Sequence, residues 1–210
     1  MASTLPLNGR RAQAARNDQR ILDAARAVFT ADPGAPIAAV AARAGVGIAA
    51  LYRRYQGKDD LLQQLCLDGL RRYIVEVERA LADDGEPWAA FARFMDRCLD
   101  AGANSLTLRF AGAFTAAEEL HREGQKAYEG TQRLLDRTKA AGVLRADIEV
   151  GDLSLLFEQL QAVHIGDEHR AGQLRRRYLT LLLDALRQSA APPLPGPAPR
   201  WDEIRDRYNP

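Results

Sequence analysis

Residues 20–62 read RILDAARAVFTADPGAPIAAVAARAGVGIAALYRRYQGKDDLL and carry the pattern that decides the fold. From Ile21 to Phe29, apolar side chains recur at i, i+1, i+4, i+7 and i+8. This spacing predicts an amphipathic helix, with Asn17 or Asp18 as its N-cap. A proline and a glycine directly after the apolar pattern predict the end of this helix.

Two short helices are predicted to follow, separated by a turn of three residues. The first has Pro36 near its first turn, where a missing N–H group costs nothing. The turn is Gly45-Val46-Gly47, and in the next segment, IAALYRRY at 48–55, Leu51 and Tyr55 share one side. Two short helices joined by a glycine-containing turn of this length are typical of a helix-turn-helix. The segment 48–55 is then the recognition helix.

The charges are distributed unevenly along the chain. The whole sequence of 210 residues has a formal net charge of +1, with 47% hydrophobic and 27% charged residues, which is typical of folded globular proteins. Residues 1–58, however, hold nine arginine or lysine residues against three aspartates, whereas the remainder holds 20 basic and 25 acidic residues. This asymmetry favours a phosphate-binding module on a body that does not contact DNA, with a solvated basic face as the alternative.

The rest of the sequence predicts an all-α protein of about nine helices. A long helix is predicted from Lys58 to Ala82, and apolar residues keep helical spacing through a stretch, 88–191, that contains no proline. We expect four parts: a disordered basic arm at 1–16, a helix-turn-helix DNA-binding domain at 17–62, an effector-binding and dimerisation domain at 63–190, and a proline-rich tail at 191–210.

The sequence contains neither a signal-peptide pattern nor an apolar run of about 18 residues, so we expect a cytoplasmic protein with no membrane partner. Cys66 and Cys98 each fall within an apolar helical pattern. Both are therefore predicted to be reduced packing residues rather than a disulfide.

Residues 20–62 resemble the N-terminal domain of the TetR family of bacterial transcriptional regulators throughout their length. The C-terminal part is similar in layout to the SbtR-like branch of that family. The resemblance implies a homodimer that binds a palindromic DNA operator, usually as a repressor, and that is released by a small-molecule effector. We expect no enzymatic activity, no cofactor and no metal. The matching elements are Ile21-Leu22, Ala24-Ala25, Phe29, Val40-Ala41, Ala44-Gly45-Val46, Leu51-Tyr52, Tyr55, Lys58 and Leu61-Leu62.

The recognition helix has few hydroxyl groups. The family usually has serine or threonine where this chain has Pro36, Gly47 and Ala50, so contacts from arginine and backbone are expected instead. Arg53 has the best reach for bidentate hydrogen bonds to guanine, with a phosphate contact as the alternative. Lys58, a cation at the positive end of a helix dipole, predicts a bound phosphate. The predicted DNA-binding residues are Arg43, Gly47, Ile48, Ala49, Ala50, Tyr52, Arg53, Arg54 and Lys58.

The segment YLTLLLDAL at 178–186 is apolar on nearly every face. In a small domain such a helix needs cover on two sides, and a second copy of the chain is the natural cover for the side that its own core leaves open. Together with the preceding helix, this segment predicts a four-helix dimer interface. The predicted interface residues are Leu153, Leu156, Leu160, Val163, Tyr178, Leu179, Leu182, Leu183 and Leu186.

Aromatic, apolar and a few polar residues between 88 and 164 predict a small-molecule pocket, with a packed core as the alternative. His121, Gln125 and Thr131 favour a pocket, because polar residues on the buried side of a helix need partners. Ligand binding would then favour a position of the long helix in which the recognition helices no longer match the operator. The predicted pocket residues are Trp88, Phe91, Met95, Phe110, Phe114, His121, Gln125, Tyr128, Thr131, Phe157, Gln161 and His164.

Two other functions stay open at this point. Glu118 and His121 have the i, i+3 spacing of carboxylate and histidine metal ligands in helical bundles, and residues 164–169 could add more, which keeps a metal-dependent enzyme as one alternative. The hydroxyl-poor recognition helix keeps a TetR-fold ligand-binding or interaction protein without specific DNA binding as the other.

Overall fold

A computed structural model describes residues 7–101, 117–190 and 192–206, and within these ranges it contains helices and no strand. The all-α class predicted from the sequence is confirmed. One isolated antiparallel bridge pairs Leu144 with Arg187. The described helices are α1 (Leu7–Ala31), α2 (Ile37–Ala44), α3 (Ile48–Arg54), α4 (Lys58–Leu81), α5 (Pro87–Asp100), α6 (Glu118–Ala140), α7 (Val150–Gln161), α8 (Glu168–Leu186) and α9 (Trp201–Asp206).

The chain divides into two compact units, and the division falls between Asp68 and Gly69, inside α4. The first unit contains α1, α2, α3 and the beginning of α4. The second unit contains the remainder of α4 and the helices from α5 onward. No helix in the described ranges is long and apolar enough to cross a membrane.

Helix α1 begins at Leu7, well before the start near Asn17 or Asp18 that the apolar spacing predicted. Residues 7–16 are thus helical and not a disordered arm, while residues 1–6 lie outside the described ranges. The difference has a local cause, because alanine, arginine and glutamine have high helix propensity without any apolar period. Side-chain bonds one turn apart add support, such as the one from Arg16 Nη2 to Gln13 Oε1 at 2.8 Å.

The turn between α2 and α3 is fixed by Gly45, whose φ of 65° lies in the left-handed region. The N–H groups of Gly45 and Val46 donate to carbonyls in the last turn of α2, at 3.2 and 3.0 Å, as in a Schellman motif. Arg20 of α1 donates from Nη2 to the carbonyl of Ala44 at 2.8 Å. The predicted helix-turn-helix is therefore present, and the C-terminal end of α2 is capped by backbone and by Arg20. Its core side chains are Ala25, Phe29, Val40, Leu51 and Leu61.

Three helices of the second unit have acidic N-caps. The carboxylate of Glu86 accepts two backbone N–H groups at the start of α5, where Pro87 is the first helical residue. Glu149 and Asp152 form a capping box at the start of α7, and Asp167 caps α8. These caps define where the three helices begin. Cys66 and Cys98 are both buried, as expected for packing residues.

The C-terminal tail packs against the second unit. We call residues 192–206, which include α9, the C-terminal strap. The Trp201 ring stacks on Tyr128 of α6 with ring centroids 4.9 Å apart. The carbonyl of Pro199 approaches the backbone of Gly151 in α7 so closely that a Cβ atom there would overlap it. The strap therefore packs against both α6 and α7.

Candidate nucleic-acid interface

Helix α3 packs against the core of the first unit with one face and exposes the remainder of its surface to solvent. Leu51 is fully buried and Tyr55, the C-cap, is 3% exposed, so these two side chains attach the helix to the core. On the opposite face Ile48 is 41% exposed and Tyr52 is 53% exposed. Large apolar groups exposed on a helix of two turns indicate a surface that is covered by a partner.

The predicted base-reading residues lie on this outer face. Gly47, Ile48, Ala49 and Ala50 are all exposed, and together they make a smooth, weakly polar surface. Such a surface can approach the floor of a major groove and contact thymine methyl groups. The structure thus brings the predicted residues of the first turn of α3 together.

Arginines flank this smooth surface. Arg43 at the end of α2 and Arg53 in α3 are exposed, and neither α2 nor α3 contains an acidic residue. The surface is therefore positive along both helices of the motif. Positive charge at the edges of a recognition helix is what phosphate contacts need.

Arg54 is held by an aspartate of α1. Its Nε and Nη2 atoms donate to the two carboxylate oxygens of Asp18, at 2.9 and 2.6 Å. This hydrogen-bonded ion pair raises the pKa of Arg54 above its ordinary value. Burial raises the pKa of the neighbouring Tyr55. Sequence reasoning did not find Asp18 as a partner of the recognition helix, because a pairing 36 residues apart leaves no local pattern.

Lys58 has partners inside the first unit. Its ammonium donates to the carbonyls of Pro33 and Ala35, at 3.0 and 2.9 Å, and lies 5.2 Å from the ring centroid of Phe29. These contacts stabilise a cation at the start of α4. Lys58 is thus bound to the turn between α1 and α2 and to the ring of Phe29, and its contact with a DNA phosphate stays a prediction.

A buried aromatic cluster occupies the second unit. Tyr73 contacts Phe94 and Phe157 edge-on, with centroids 5.6 and 6.5 Å apart, and Phe91 lies between Phe94 and Trp88. Sequence reasoning did not place Tyr73 or Phe94 in the site, although Phe94 follows Phe91 at i+3. The predicted pocket residues that are buried here are Trp88, Phe91, Met95, Thr131 and Phe157.

The one buried polar residue among those five is satisfied within the protein. Oγ1 of Thr131 donates to the carbonyl of Ala127 at 2.7 Å and lies 2.9 Å from the hydroxyl of Tyr73. Burial raises the pKa of Tyr73, so its phenol stays protonated. Tyr73 and Thr131 thus form a neutral polar pair within an otherwise apolar cluster.

Several predicted pocket residues lie elsewhere. Gln125 is exposed and bonds to Glu129 at 2.9 Å, so the expectation that it lies on the buried side of α6 is wrong. Trp201 of the strap covers Tyr128. His164 is exposed. Gln125 has a different helical phase from Thr131, and His164 lies beyond the end of α7 at Gln161, which explains why these two residues are not brought to the cluster.

The other polar candidates are at the margins of the second unit. Gln161 donates to the carbonyl of Leu99 at 3.1 Å and so joins the ends of α7 and α5. His121 is half-buried. Phe110 and Phe114 lie outside the described residues.

Helices α7 and α8 bury one side and expose another. Part of the predicted dimer interface faces the core of the same chain, namely Leu153, Leu160, Leu179 and Leu186. The remainder, partly or fully exposed, consists of Leu156, Val163, Tyr178, Leu182 and Leu183. The strongest additional apolar exposure is that of Leu181, at 56%. The exposed apolar side of these two helices, which we call the α7–α8 face, comprises Leu155, Leu156, Tyr178, Leu181, Leu182 and Ala185.

The α7–α8 face contains a groove of about 270 Å³. It is lined by Leu155 and Leu156 of α7, by Leu182 and Ala185 of α8, and by Leu194 of the strap. The lining is mostly apolar, and the groove is open to the surface. An apolar seam of this kind along two neighbouring helices is typical of a helix-pair interface.

The residues considered as metal ligands are not grouped. His169 is bonded to Gln173 at 3.0 Å, and His164 lies 3.3 Å from Arg175. In the part of the chain that the structure describes, no set of three or more histidine, cysteine or acidic side chains lies close enough to hold a metal ion.

A helix-turn-helix with an exposed, positively flanked recognition helix, followed by a helical unit with an aromatic core, defines a class of DNA-binding regulators. The model for bacterial regulatory proteins of the tetR family matches residues 21–65. The model for the C-terminal domain of SbtR-like transcriptional regulators matches residues 86–188. The two matches fall in the first and the second unit respectively.

Individual proteins agree with these matches. The HTH-type transcriptional repressor LfrR of Mycolicibacterium smegmatis is 33% identical over 105 residues, which are 50% of this chain and 56% of LfrR. The crystal structure of LfrR from Mycobacterium smegmatis in complex with proflavine has a TM-score of 0.58 and 25% identity, covering 86% of this chain and 99% of that chain. The TetR regulator SCO0520 of Streptomyces coelicolor has a TM-score of 0.58 and 26% identity, covering 82% and 99%.

This chain belongs to the TetR family of transcriptional regulators, and its C-terminal domain is of the SbtR-like type. The family predicted from residues 20–62 is confirmed.

Proposed function

We propose that this protein is a transcriptional repressor that binds a palindromic operator as a homodimer and is released by a small-molecule effector. The observation that carries the DNA-binding part is the outer face of α3. Ile48 and Tyr52 are exposed there without any apolar neighbour to cover them, and basic side chains flank them. A duplex with its methyl groups and phosphates complements both features.

Each part of the interface has its own role in the proposed complex. The smooth first turn of α3, from Gly47 to Ala50, lies against base edges. Arg53 reads a base or holds a phosphate, and Tyr52 donates its hydroxyl to a phosphate oxygen. Arg43 adds a phosphate contact from the end of α2. Lys58 stabilises the helix-turn-helix through its hydrogen bonds to the turn between α1 and α2.

The α7–α8 face is the proposed site of dimerisation. Its partly exposed leucines would be buried by the same residues of a second copy, as a two-fold axis requires. Burial of apolar surface is favourable by roughly 25 cal/mol per Å². A seam with several leucines would therefore contribute substantially to the stability of the dimer. Two recognition helices related by such an axis read two half-sites of one palindrome.

The aromatic cluster around Tyr73 is the proposed effector site. The relative LfrR has been crystallised in complex with proflavine, which supports a ligand site in the second unit of this chain. In this chain the cluster is aromatic and its polar groups are the hydroxyls of Tyr73 and Thr131, so we propose an apolar aromatic effector. Helix α4 runs through both units, so a shift of its second half changes the population of DNA-competent conformers.

The DNA-binding proposal is tested by selecting binding sites from a pool of random duplexes. We expect a palindrome, and Ile48→Gln is expected to weaken binding to it by about tenfold or more, because a base contact is worth ~1–3 kcal/mol. The matched control is Ile165→Gln, since Ile165 is 63% exposed in the second unit. The proposal fails if no palindrome is selected, and a TetR-fold interaction protein without specific DNA binding then becomes the better conclusion.

A further inference from the structure

Asp18 is the acidic residue that contacts the recognition helix. Residues 1–58 contain three aspartates. Asp23 pairs with Arg26 within α1, at 2.9 Å, and Asp32 accepts the N–H of Gly34 in the following turn, at 2.8 Å. Asp18 instead reaches across to α3 and holds Arg54.

The pair between Asp18 and Arg54 is bidentate but open to solvent. The side chain of Arg54 is 60% exposed and that of Asp18 is 26% exposed. The carboxylate takes Nε and Nη2, and the hydroxyl of Tyr55 is a further side-chain hydrogen-bond partner of the same guanidinium. A guanidinium has five N–H donors in a rigid fork, so a bidentate partner on one edge fixes the direction of the other edge.

We propose that Asp18 is a specificity-determining residue that makes Arg54 a conditional phosphate ligand. This inference rests on the DNA-binding function proposed above. With its charge matched by Asp18 and its fork fixed by Asp18 and Tyr55, Arg54 contacts a phosphate only when the DNA backbone lies within reach of its remaining N–H groups. In a non-specific complex, in which the register of the protein on the DNA is not fixed, Arg54 contributes little to the binding affinity.

The physical basis is the difference between the non-specific and the specific complex with DNA. Non-specific binding depends almost entirely on phosphate charge, and cationic side chains that move freely can follow any backbone position. Specific binding fixes the register through base contacts, so a pre-oriented arginine meets its phosphate without further loss of side-chain freedom. Restraining Arg54 therefore weakens non-specific binding more than operator binding.

The test measures binding of the full-length protein to a scrambled duplex by fluorescence anisotropy over a series of salt concentrations. Asp18→Asn is expected to tighten binding by about threefold or more at low salt and to steepen the slope of log K against log salt by about 0.9 per subunit, the value for one added phosphate contact. Asp23→Asn, the same charge change on the same helix, is expected to stay within about twofold of wild type. Asp18→Glu keeps the carboxylate and is expected to restore the wild-type slope.

A double-mutant cycle separates control of Arg54 from a simple charge effect. In an Arg54→Met background, Asp18→Asn is expected to lose most of its effect on the scrambled duplex. Equal effects of Asp18→Asn with and without Arg54, or equal effects of Asp18→Asn and Asp23→Asn, would overturn the proposal. Circular dichroism of each variant checks that the fold is retained.

Failure of this inference and failure of the proposed function are distinguishable. The scrambled-duplex comparison needs no operator, whereas the proposed function fails when selection from random DNA returns no palindrome. Where an operator is selected, the ratio of operator to scrambled affinity is expected to fall in Asp18→Asn by about threefold or more. An unchanged ratio contradicts the inference even if the protein is a repressor.

Discussion

Lys58 joins three segments of the first unit at a single ammonium group. It links the start of α4 to the carbonyls of Pro33 and Ala35 in the turn between α1 and α2, and it lies over the ring of Phe29 in the core. Both carbonyls would lose their partner if the ammonium were removed. Because a hydrogen bond to a charged group contributes about 1.5–3 kcal/mol, Lys58 is expected to be important for stability.

Lys58→Met is expected to lower the free energy of unfolding of the first unit by about 1–3 kcal/mol. Thermal unfolding followed by circular dichroism measures this loss. The matched substitution is Arg53→Met, which removes an exposed cation and is expected to weaken DNA binding while leaving stability almost unchanged. If Lys58→Met keeps full stability and weakens DNA binding as strongly as Arg53→Met, then Lys58 is a phosphate ligand and not a structural residue.

The C-terminal strap is the element that lies beyond the matched family domains, which end at residue 188. Asp147 anchors its beginning by accepting the N–H of Leu194 at 2.8 Å, and Arg145 pairs with the same carboxylate. The Arg145 guanidinium holds the pKa of Asp147 well below its usual range. Ile204 in α9 is 4% exposed, so the far end of the strap is buried as well.

Gly151 controls whether the strap can dock. Gly151→Ala places a Cβ against the carbonyl of Pro199, which is backbone and can move only if the strap moves. We expect this variant to release the strap, to expose Trp201 to water and to allow rapid cleavage by trypsin after Arg200. Trp201 fluorescence and mass spectrometry of the digest measure these changes.

The control for the strap is Gly172→Ala. Gly172 lies in α8, where an added Cβ meets no atom within 4 Å, so this variant is expected to keep the strap and to gain up to about 1 kcal/mol of helix stability. If Gly151→Ala resists trypsin as well as wild type and Gly172→Ala do, the close approach of Pro199 to α7 is not essential for docking.

How far the elements could be predicted from the sequence depends on what determines them. Helices with an apolar period are the most predictable, and α4 was predicted from Lys58 to Ala82 against observed bounds of Lys58–Leu81. The early start of α1 rests on helix propensity without such a period. The start of α8 at Glu168 rests on the cap of Asp167, which the apolar pattern does not record.

The candidate DNA-binding site was also predictable only where a local sequence pattern determines it. The exposed residues of α3 follow from a short amphipathic pattern and a resemblance, and they lie together as expected. The partners of Arg54 and Lys58 were missed, because both pairings join residues more than 20 positions apart. Gln125 was misplaced because a helix as polar as α6 does not reveal its buried face from apolar spacing alone.

On the scale of the whole molecule, the proposed dimerisation would join two DNA-binding units into one reader of a palindrome. Leu182→Glu is expected to produce a monomer, because it places a charge within the apolar groove of the α7–α8 face. Sedimentation equilibrium measures the change. Val75→Glu is the control, since Val75 is 48% exposed on α4. A fully dimeric Leu182→Glu protein would show that the dimer uses another surface.

Whether two copies of this chain read one palindrome is decided by titrating the selected duplex and a single half-site of it with the purified protein. We expect two protomers per palindrome, an affinity about a hundredfold or more above that for the half-site, and loss of this difference in Leu182→Glu. One protomer per duplex, with equal affinity for palindrome and half-site, would contradict the homodimeric repressor.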